Sequence, residues 1–209
     1  MNATNTTKDR LLEAACHVFA QKGFRDATVA EICEVADANI AAVNYHFGDK
    51  ESLYDAVWHR AFDLTNAAYP VDAKLPDNPV LYDYLYSYSN AILHRIFSET
   101  ESGLFAKLLY REMAAPTLAL DHIATEVLQP QSQFLAQALG ASMGSAVDEK
   151  NLQLCMHSII GMCVFYNFSR PLRERVLGCK TLNEEEIEET ARHIAAFSLG
   201  GLSAIKEQP

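Results

Sequence analysis

Thr28-Val-Ala-Glu-Ile-Cys-Glu-Val-Ala-Asp-Ala-Asn-Ile-Ala-Ala-Val-Asn-Tyr-His-Phe-Gly-Asp-Lys-Glu-Ser-Leu-Tyr54 spells two short helices, a tight turn between them, and the start of a third helix. Thr28 and Glu31 stand three apart, the spacing of a capping box, so the first helix begins at Val29. Ile32, Val35 and Ala36 give it an apolar face. Asp37 and Ala38 make the turn, and Asn39 is a good N-cap for a second helix over 40–45. Ile40, Val43 and Phe47 are expected to point inward. Ala41, Ala42, Asn44, Tyr45 and His46 are left on the outer face. A short helix with small and hydrogen-bonding outer residues fits a DNA major groove. The reading is a helix-turn-helix.

This segment resembles the TetR family of bacterial transcriptional regulators. Thr28, Ile32, Ala36, Asn39, Tyr45, His46, Phe47, Lys50, Glu51 and Leu53 sit in the family pattern. So does the opening helix, with Leu11, Leu12, Ala15, Phe19 and then Gly23-Phe24. Asn39-Ile40-Ala41-Ala42-Val43-Asn44-Tyr45-His46-Phe47-Gly48 looks like the CecR-like subgroup. Arg111-Glu112-Met113 before Pro116 and Gly161-Met162-Cys163-Val164-Phe165-Tyr166 fit that subgroup as well.

Three departures stand out. Asp37 replaces the usual turn glycine, which Asp tolerates because it enters the left-handed region more readily than most residues. Asn44 replaces an aromatic residue near the end of the second helix. Residues 1–66 carry six Lys and Arg against ten Asp and Glu, a net of −4. Lys and Arg neutralising phosphates supply most non-specific DNA affinity, so that component is expected to be weak. Helix N-termini, hydroxyls and a few placed cations remain able to hold phosphates.

The rest of the chain is consistent with an all-α protein: an N-terminal three-helix helix-turn-helix domain followed by a larger helical domain. The 209 residues are enough for a substantial core, and the 49% hydrophobic and 21% charged composition is that of an ordinary globular protein. Net charge of −10 disfavours an anionic membrane as partner. The polar first residues lack the character of a signal peptide, and no apolar run approaches the ~20 residues of a span. Five cysteines (Cys16, Cys33, Cys155, Cys163 and Cys179), odd in number and with no Cys-x-x-Cys pair, suggest free thiols in the cytoplasm.

Organisation follows from helix signals. Residues 1–50 make the helix-turn-helix domain and a helix over 50–67, capped by Asp49, links it to a domain over 68–209. A loop over 69–78 is the expected hinge. Asn78-Pro79 reads as the start of the next helix. Further helices are expected over 102–114, 117–128, 131–139, 148–168 and 184–205, the last capped by Asn183 with Glu186.

The resemblance implies that the C-terminal domain dimerises and holds a small-molecule effector. Leu152, Ile160, Val164, Ile194, Phe197 and Leu202 are the dimer-interface candidates, on two long helices. The plain alternative is that these stripes are core. Tyr88, Phe105, Tyr110, Met113, Met156, Phe165 and Tyr166 are the candidates for an aromatic, methionine-containing effector pocket, which would suit an apolar or aromatic compound.

For DNA, Asn39, Asn44 and Tyr45 are the candidates for base or backbone hydrogen bonds. Ala42 is the candidate for a thymine methyl, and Thr28, His46 and Lys50 for phosphates. The implied activity is a ligand-responsive regulator, a repressor by family habit, reading a palindromic double-stranded operator as a homodimer. A TetR-like dimer without DNA affinity, acting through a protein partner, is one alternative, and an all-α enzyme another. No phosphate loop, nucleophile elbow or His-Glu-x-x-His motif is present. No cofactor, catalytic set or metal-ligand set is expected.

Overall fold

The structure, a computed structural model, describes residues 6–144, 148–178 and 182–206. Cys179 lies outside them. All regular elements among the described residues are helical, as the sequence pattern predicts. They form two compact units. Unit 1 contains the described residues up to Ala67 together with Glu99–Val127. Unit 2 contains Ala68–Ser98 and the described residues from Leu128 onward. Sequence alone suggested one boundary near residue 68; instead the chain leaves unit 2 after Ser98 and returns to it at Leu128.

Unit 1 opens with α1 (Thr7–Asp26), whose first turn is closed by a reciprocal cap between Thr6 and Asp9. Gly23 breaks its last turn with φ 77° and ψ 174°, a conformation essentially reserved for glycine. Next come α2 (Val29–Val35), α3 (Ile40–His46) and α4 (Lys50–Ala68). Leu11, Ala15 and Phe19 of α1, Ile32 of α2, Val43 of α3, and Leu53, Val57 and Trp58 of α4 are buried together with little or no exposure. Each large apolar side chain so buried contributes about 1.5–3 kcal/mol.

Residues 99–127 complete that core. A 3₁₀ turn at Glu101–Gly103 leads into α6 (Leu104–Ala114), then α7 (Ala119–His122) and a π-helical segment at Ile123–Leu128. An aromatic row runs Phe24, Tyr54, Trp58, Phe105, Phe62, with ring centroids 5.0 to 6.0 Å apart at each step. Phe105 of α6 therefore caps the aromatic face of α4. Beside it, the buried Glu112 carboxylate accepts from the Tyr54 hydroxyl at 2.8 Å, the Thr117 amide at 2.6 Å and the Thr117 hydroxyl at 2.8 Å. Arg111 donates to the Ala20 carbonyl at 2.8 Å. The Arg-Glu-Met segment thus ties α6 to α1 and α4.

Unit 2 is built on α5 (Leu81–Phe97), α8 (Gln129–Met143), α9 (Glu149–Phe168), α10 (Arg170–Leu177) and α11 (Glu184–Lys206). Leu85, Tyr88, Leu135, Leu139, Ile159 and Leu202 form one core cluster; Leu93, Cys163, Ile187 and Ile194 form a second. Asn183 and Glu186 cap α11 reciprocally, as predicted.

Local expectations fail where a partner was not visible in sequence. Thr28 accepts from the Glu31 amide at 3.2 Å, but the Glu31 carboxylate turns to Lys22 at 2.5 Å, so only half the capping box forms. The helix expected from Asn78-Pro79 starts at Leu81, where the Asp83 carboxylate accepts from the Val80 amide. The helix expected over 117–128 is a single α turn followed by π-helix. α10, begun by Pro171 in its first turn, was not anticipated.

Candidate nucleic-acid interface

The turn between α2 and α3 has the geometry a helix-turn-helix requires. Asp37 adopts φ 48°, the left-handed conformation expected of it. Arg10 of α1 donates to its carbonyl at 3.2 Å, and the Ala38 amide donates to the Cys33 carbonyl at 2.9 Å. Asn39 caps α3, its Oδ1 accepting from the Ala42 amide at 2.9 Å. Val43, 1% exposed, is the fully buried residue of α3 and anchors it. Ile40, expected inward, is 53% exposed at the first position of α3.

The candidate DNA contacts are all exposed or half-buried on this frame. Asn39, Asn44 and Tyr45 are exposed, Tyr45 at 85%, and Ala42 is half-buried between them and the core. His46 is half-buried with its ring 4.9 Å from that of Tyr45. Thr28 is exposed; its oxygen caps α2, which leaves its O–H to donate. The Lys50 ammonium sits 4.5 Å from the centroid of the Phe24 ring, a cation–π contact that holds it beside the C-terminal end of α1. Asp49, at the start of α4, accepts from the Ser52 amide at 2.7 Å, and that bond lowers its pKa.

The family described as bacterial regulatory proteins of the tetR family matches residues 11–57, which span α1 through the first half of α4. The C-terminal domain of the HTH-type transcriptional dual regulator CecR matches residues 82–202, more than half of the chain. The chain belongs to the TetR family, with a CecR-type C-terminal domain.

Its curated relatives include the dual regulator CecR of Shigella flexneri, 24% identical over 87% of this chain and 84% of that one. Another is the transcriptional repressor NicS of Pseudomonas putida, 24% identical over 94% of this chain and 92% of that one. Among solved structures, the fatty acid degradation regulator FadR from Bacillus halodurans superposes with a TM-score of 0.68 at 14% identity, covering 96% and 98% of the two chains. The protein is a DNA-binding transcriptional regulator, and its family and relatives are regulators rather than enzymes. TetR-family regulators bind operators as dimers and respond to small molecules.

For this TetR-family chain, the expected effector residues are divided between the two units. Phe105, Tyr110 and Met113 belong to unit 1, where Phe105 is core and Met113 is 65% exposed. Tyr88 is buried in the α5 stripe of unit 2, and burial pushes its hydroxyl pKa up. Met156 packs at the edge of the same cluster. Phe165 and Tyr166 lie on an open groove of about 690 Å³ between α9, α10 and α11, also lined by Leu172, Arg173, Ile194 and Phe197. Within unit 2, Phe165 and Tyr166 thus share the groove, while Tyr88 and Met156 belong to the core cluster of α5, α8 and α9.

The dimer candidates of the regulator divide in the same way. Ile194 and Leu202 are 1% and 4% exposed and belong to the core, with Ile194 also touching the floor of the groove. Leu152 and Ile160 pack half-buried against the core, and Val164 is half-buried. Phe197 is 66% exposed, and with Phe165, Phe168, Leu172 and Val176 it makes the open apolar face of α9, α10 and α11. The inward stripe of α11 is Ile187, Ala191, Ile194, Ala195, Ser198 and Leu202; Phe197 lies off it.

The sequence reading overlooked the polar stripe of α5. Ser87, Asn90, His94 and Arg95 are all buried. The Ser87 hydroxyl donates to the Val71 carbonyl at 2.8 Å and accepts from the Lys74 amide at 3.1 Å. His94 stacks on Tyr69 at 5.1 Å. Arg95 donates to the Tyr69 carbonyl and to Gln131. The loop expected as a hinge is pinned to α5 at three points. Polar residues at positions 87, 90 and 94, one helical face, were the available signal.

Proposed function

We propose that this regulator inserts α3 into the major groove of a palindromic operator as a homodimer and represses until a small molecule binds unit 2. The observation that carries the reading is the face of α3: one buried anchor, Val43, and an outer row of Asn39, Asn44 and Tyr45. Tyr45, Asn44 and Asn39 take base edges or backbone oxygens, and Ala42 takes a thymine methyl. Thr28, His46 and Lys50 take phosphates. Repression is favoured by the name of NicS, a repressor, and by the habit of the family. A cytoplasmic location follows from the same role.

The homodimer is supported by the apolar face of α9, α10 and α11, where Phe165, Phe168, Leu172, Val176 and Phe197 are each more than half exposed. Exposed apolar surface of this kind marks an association site. Two α3 helices about 34–36 Å apart would then read successive major grooves.

The effector is an apolar or aromatic molecule with a few polar groups. Unit 2 offers it an apolar core in which Asn90 Nδ2 and Ser198 Oγ are buried with no protein partner. Differential binding to two arrangements, typically ~1–3 kcal/mol, is what release requires. The units are joined by chain at residues 67–68, 98–99 and 127–128, so a change in unit 2 reaches unit 1 through three covalent connections.

Fluorescence anisotropy with DNA from upstream of the gene, beside a scrambled duplex and at several salt concentrations, tests the reading. Sequence-dependent binding by a dimer supports it. Equal or absent binding to both duplexes overturns it in favour of a module that acts through a protein partner.

A further inference from the structure

Asp55 and His59 stand four apart on α4, so both project from one face of that helix. His122 ends α7 and meets them from the far end of unit 1's sequence. Its Nε2 lies 3.0 Å from Asp55 Oδ1, and His59 Nε2 lies 3.8 Å from Asp55 Oδ2. The two imidazole rings are 5.7 Å apart at 72°. One donor atom from each of the three residues falls within 4.8 Å of the other two.

We propose that Asp55, His59 and His122 form a binding site for a divalent transition-metal ion of the zinc class. Tetrahedral zinc with bonds of ~2.1 Å places its ligand atoms about 3.4 Å apart, close to the separations already present. Small side-chain rotations bring the three donors onto one centre. Two imidazoles with one carboxylate select a borderline first-row ion over magnesium or calcium, which take oxygen ligands. The half-exposed position leaves the remaining coordination to water.

The backbone supports the third ligand. Directly after His122 the helix widens into the π-helical segment Ile123–Leu128, anchored by Ile123 and Val127, which are 0% and 1% exposed. That fixes the end of α7 while His122 stays on the outer side. π-Helical turns recur at functional sites, where they re-aim a side chain. An ion at this point clips α7 to α4, and α4 begins only four residues after α3 ends. The site and its test stand independently of the operator reading. Sequence alone concealed it, because the third ligand is 63 positions beyond the second and no His-Glu-x-x-His motif announces the pair.

The test is calorimetric titration of Zn²⁺ into tag-free, chelator-treated full-length protein, repeated with His122→Ala and with Asp55→Asn. Circular dichroism confirms that each variant folds; all three side chains are at the surface. The expected result is one equivalent of Zn²⁺ per chain, with affinity at least tenfold weaker in either variant. Co²⁺ loaded in the same way should give visible ligand-field bands that His122→Ala abolishes. Saturation unchanged in both variants, or no saturable binding by the parent protein, overturns the proposal and leaves a hydrogen-bonded His–Asp–His cluster.

Discussion

The Arg95 guanidinium holds the Tyr69 carbonyl oxygen with two hydrogen bonds, at 2.9 Å from Nε and 2.6 Å from Nη2. Arg95 is 3% exposed, and its Nη1 donates to Gln131 of α8 at 2.6 Å. One side chain therefore fastens the loop after α4 to both α5 and α8. Burial lowers its pKa to about 10, so it remains charged at neutral pH.

Arg95→Ala strips donors from the Tyr69 carbonyl and from Gln131 and leaves a gap in the packed centre of unit 2. Charge-assisted hydrogen bonds of this kind are worth ~1.5–3 kcal/mol. The variant is expected to unfold several degrees earlier. Because the loop is the chain's exit from α4, it is also expected to alter operator affinity. Thermal melting followed by circular dichroism, with anisotropy on the same sample, checks both.

Variants at Tyr45 and Lys50 separate the proposed base reading from the proposed phosphate holding. Tyr45→Ala removes a side chain that is 85% exposed and stands edge-on to its neighbour His46, so the fold is expected to be unchanged while operator affinity falls about tenfold, or roughly 1–2 kcal/mol. Lys50→Ala is expected to weaken all duplexes alike and to flatten the salt dependence by about one unit of slope. It also removes the ammonium from Phe24, so a small loss of stability accompanies it. Unchanged affinity in both variants would count against α3 as the reading helix.

The open apolar face gives a prediction about assembly. Phe168 and Phe197 are 72% and 66% exposed, so Phe168→Glu and Phe197→Glu place their charges in water if the chain is a monomer and in an apolar contact if it is a dimer. Sedimentation is expected to show dimer for the parent chain and monomer for the double variant, with helix content unchanged. Ile194→Glu, by contrast, is expected to unfold unit 2, because that side chain is core.

Much of unit 1 was legible because its signals are local. Asp37 enters the left-handed turn, Asn39 caps α3 and Asp49 caps α4, each decided within three or four residues. The return of residues 99–127 to unit 1 was not legible, since Phe105 is as apolar as any core residue of unit 2. Sequence periodicity reports that a face is buried, not what buries it. The same ambiguity placed Leu202, a core residue, at an interface. The α5 stripe was not legible for a related reason: Ser87, His94 and Arg95 hold residues 69–74, and a polar face does not say which loop will cover it.

His94 makes unit 2 sensitive to acid. It is 8% exposed and stacked on Tyr69; burial lowers its pKa below the ordinary 6.5, Glu184 at 3.7 Å and Glu188 pull the other way, and Lys74 adds to the lowering. The folded chain therefore favours neutral imidazole. As pH falls through about 6.5 the unfolded chain takes up its proton first, and stability is lost from there down towards the lower folded value. At pH 7.5 the contribution is fully present. Glu184 is mostly exposed, so its opposing attraction is screened by solvent. Thermal melts of the parent protein are expected to show a lower midpoint at pH 5.5 than at pH 7.5, and His94→Gln, which keeps a polar side chain that cannot be protonated, is expected to reduce that difference. An identical difference in the variant would assign the acid sensitivity to other groups.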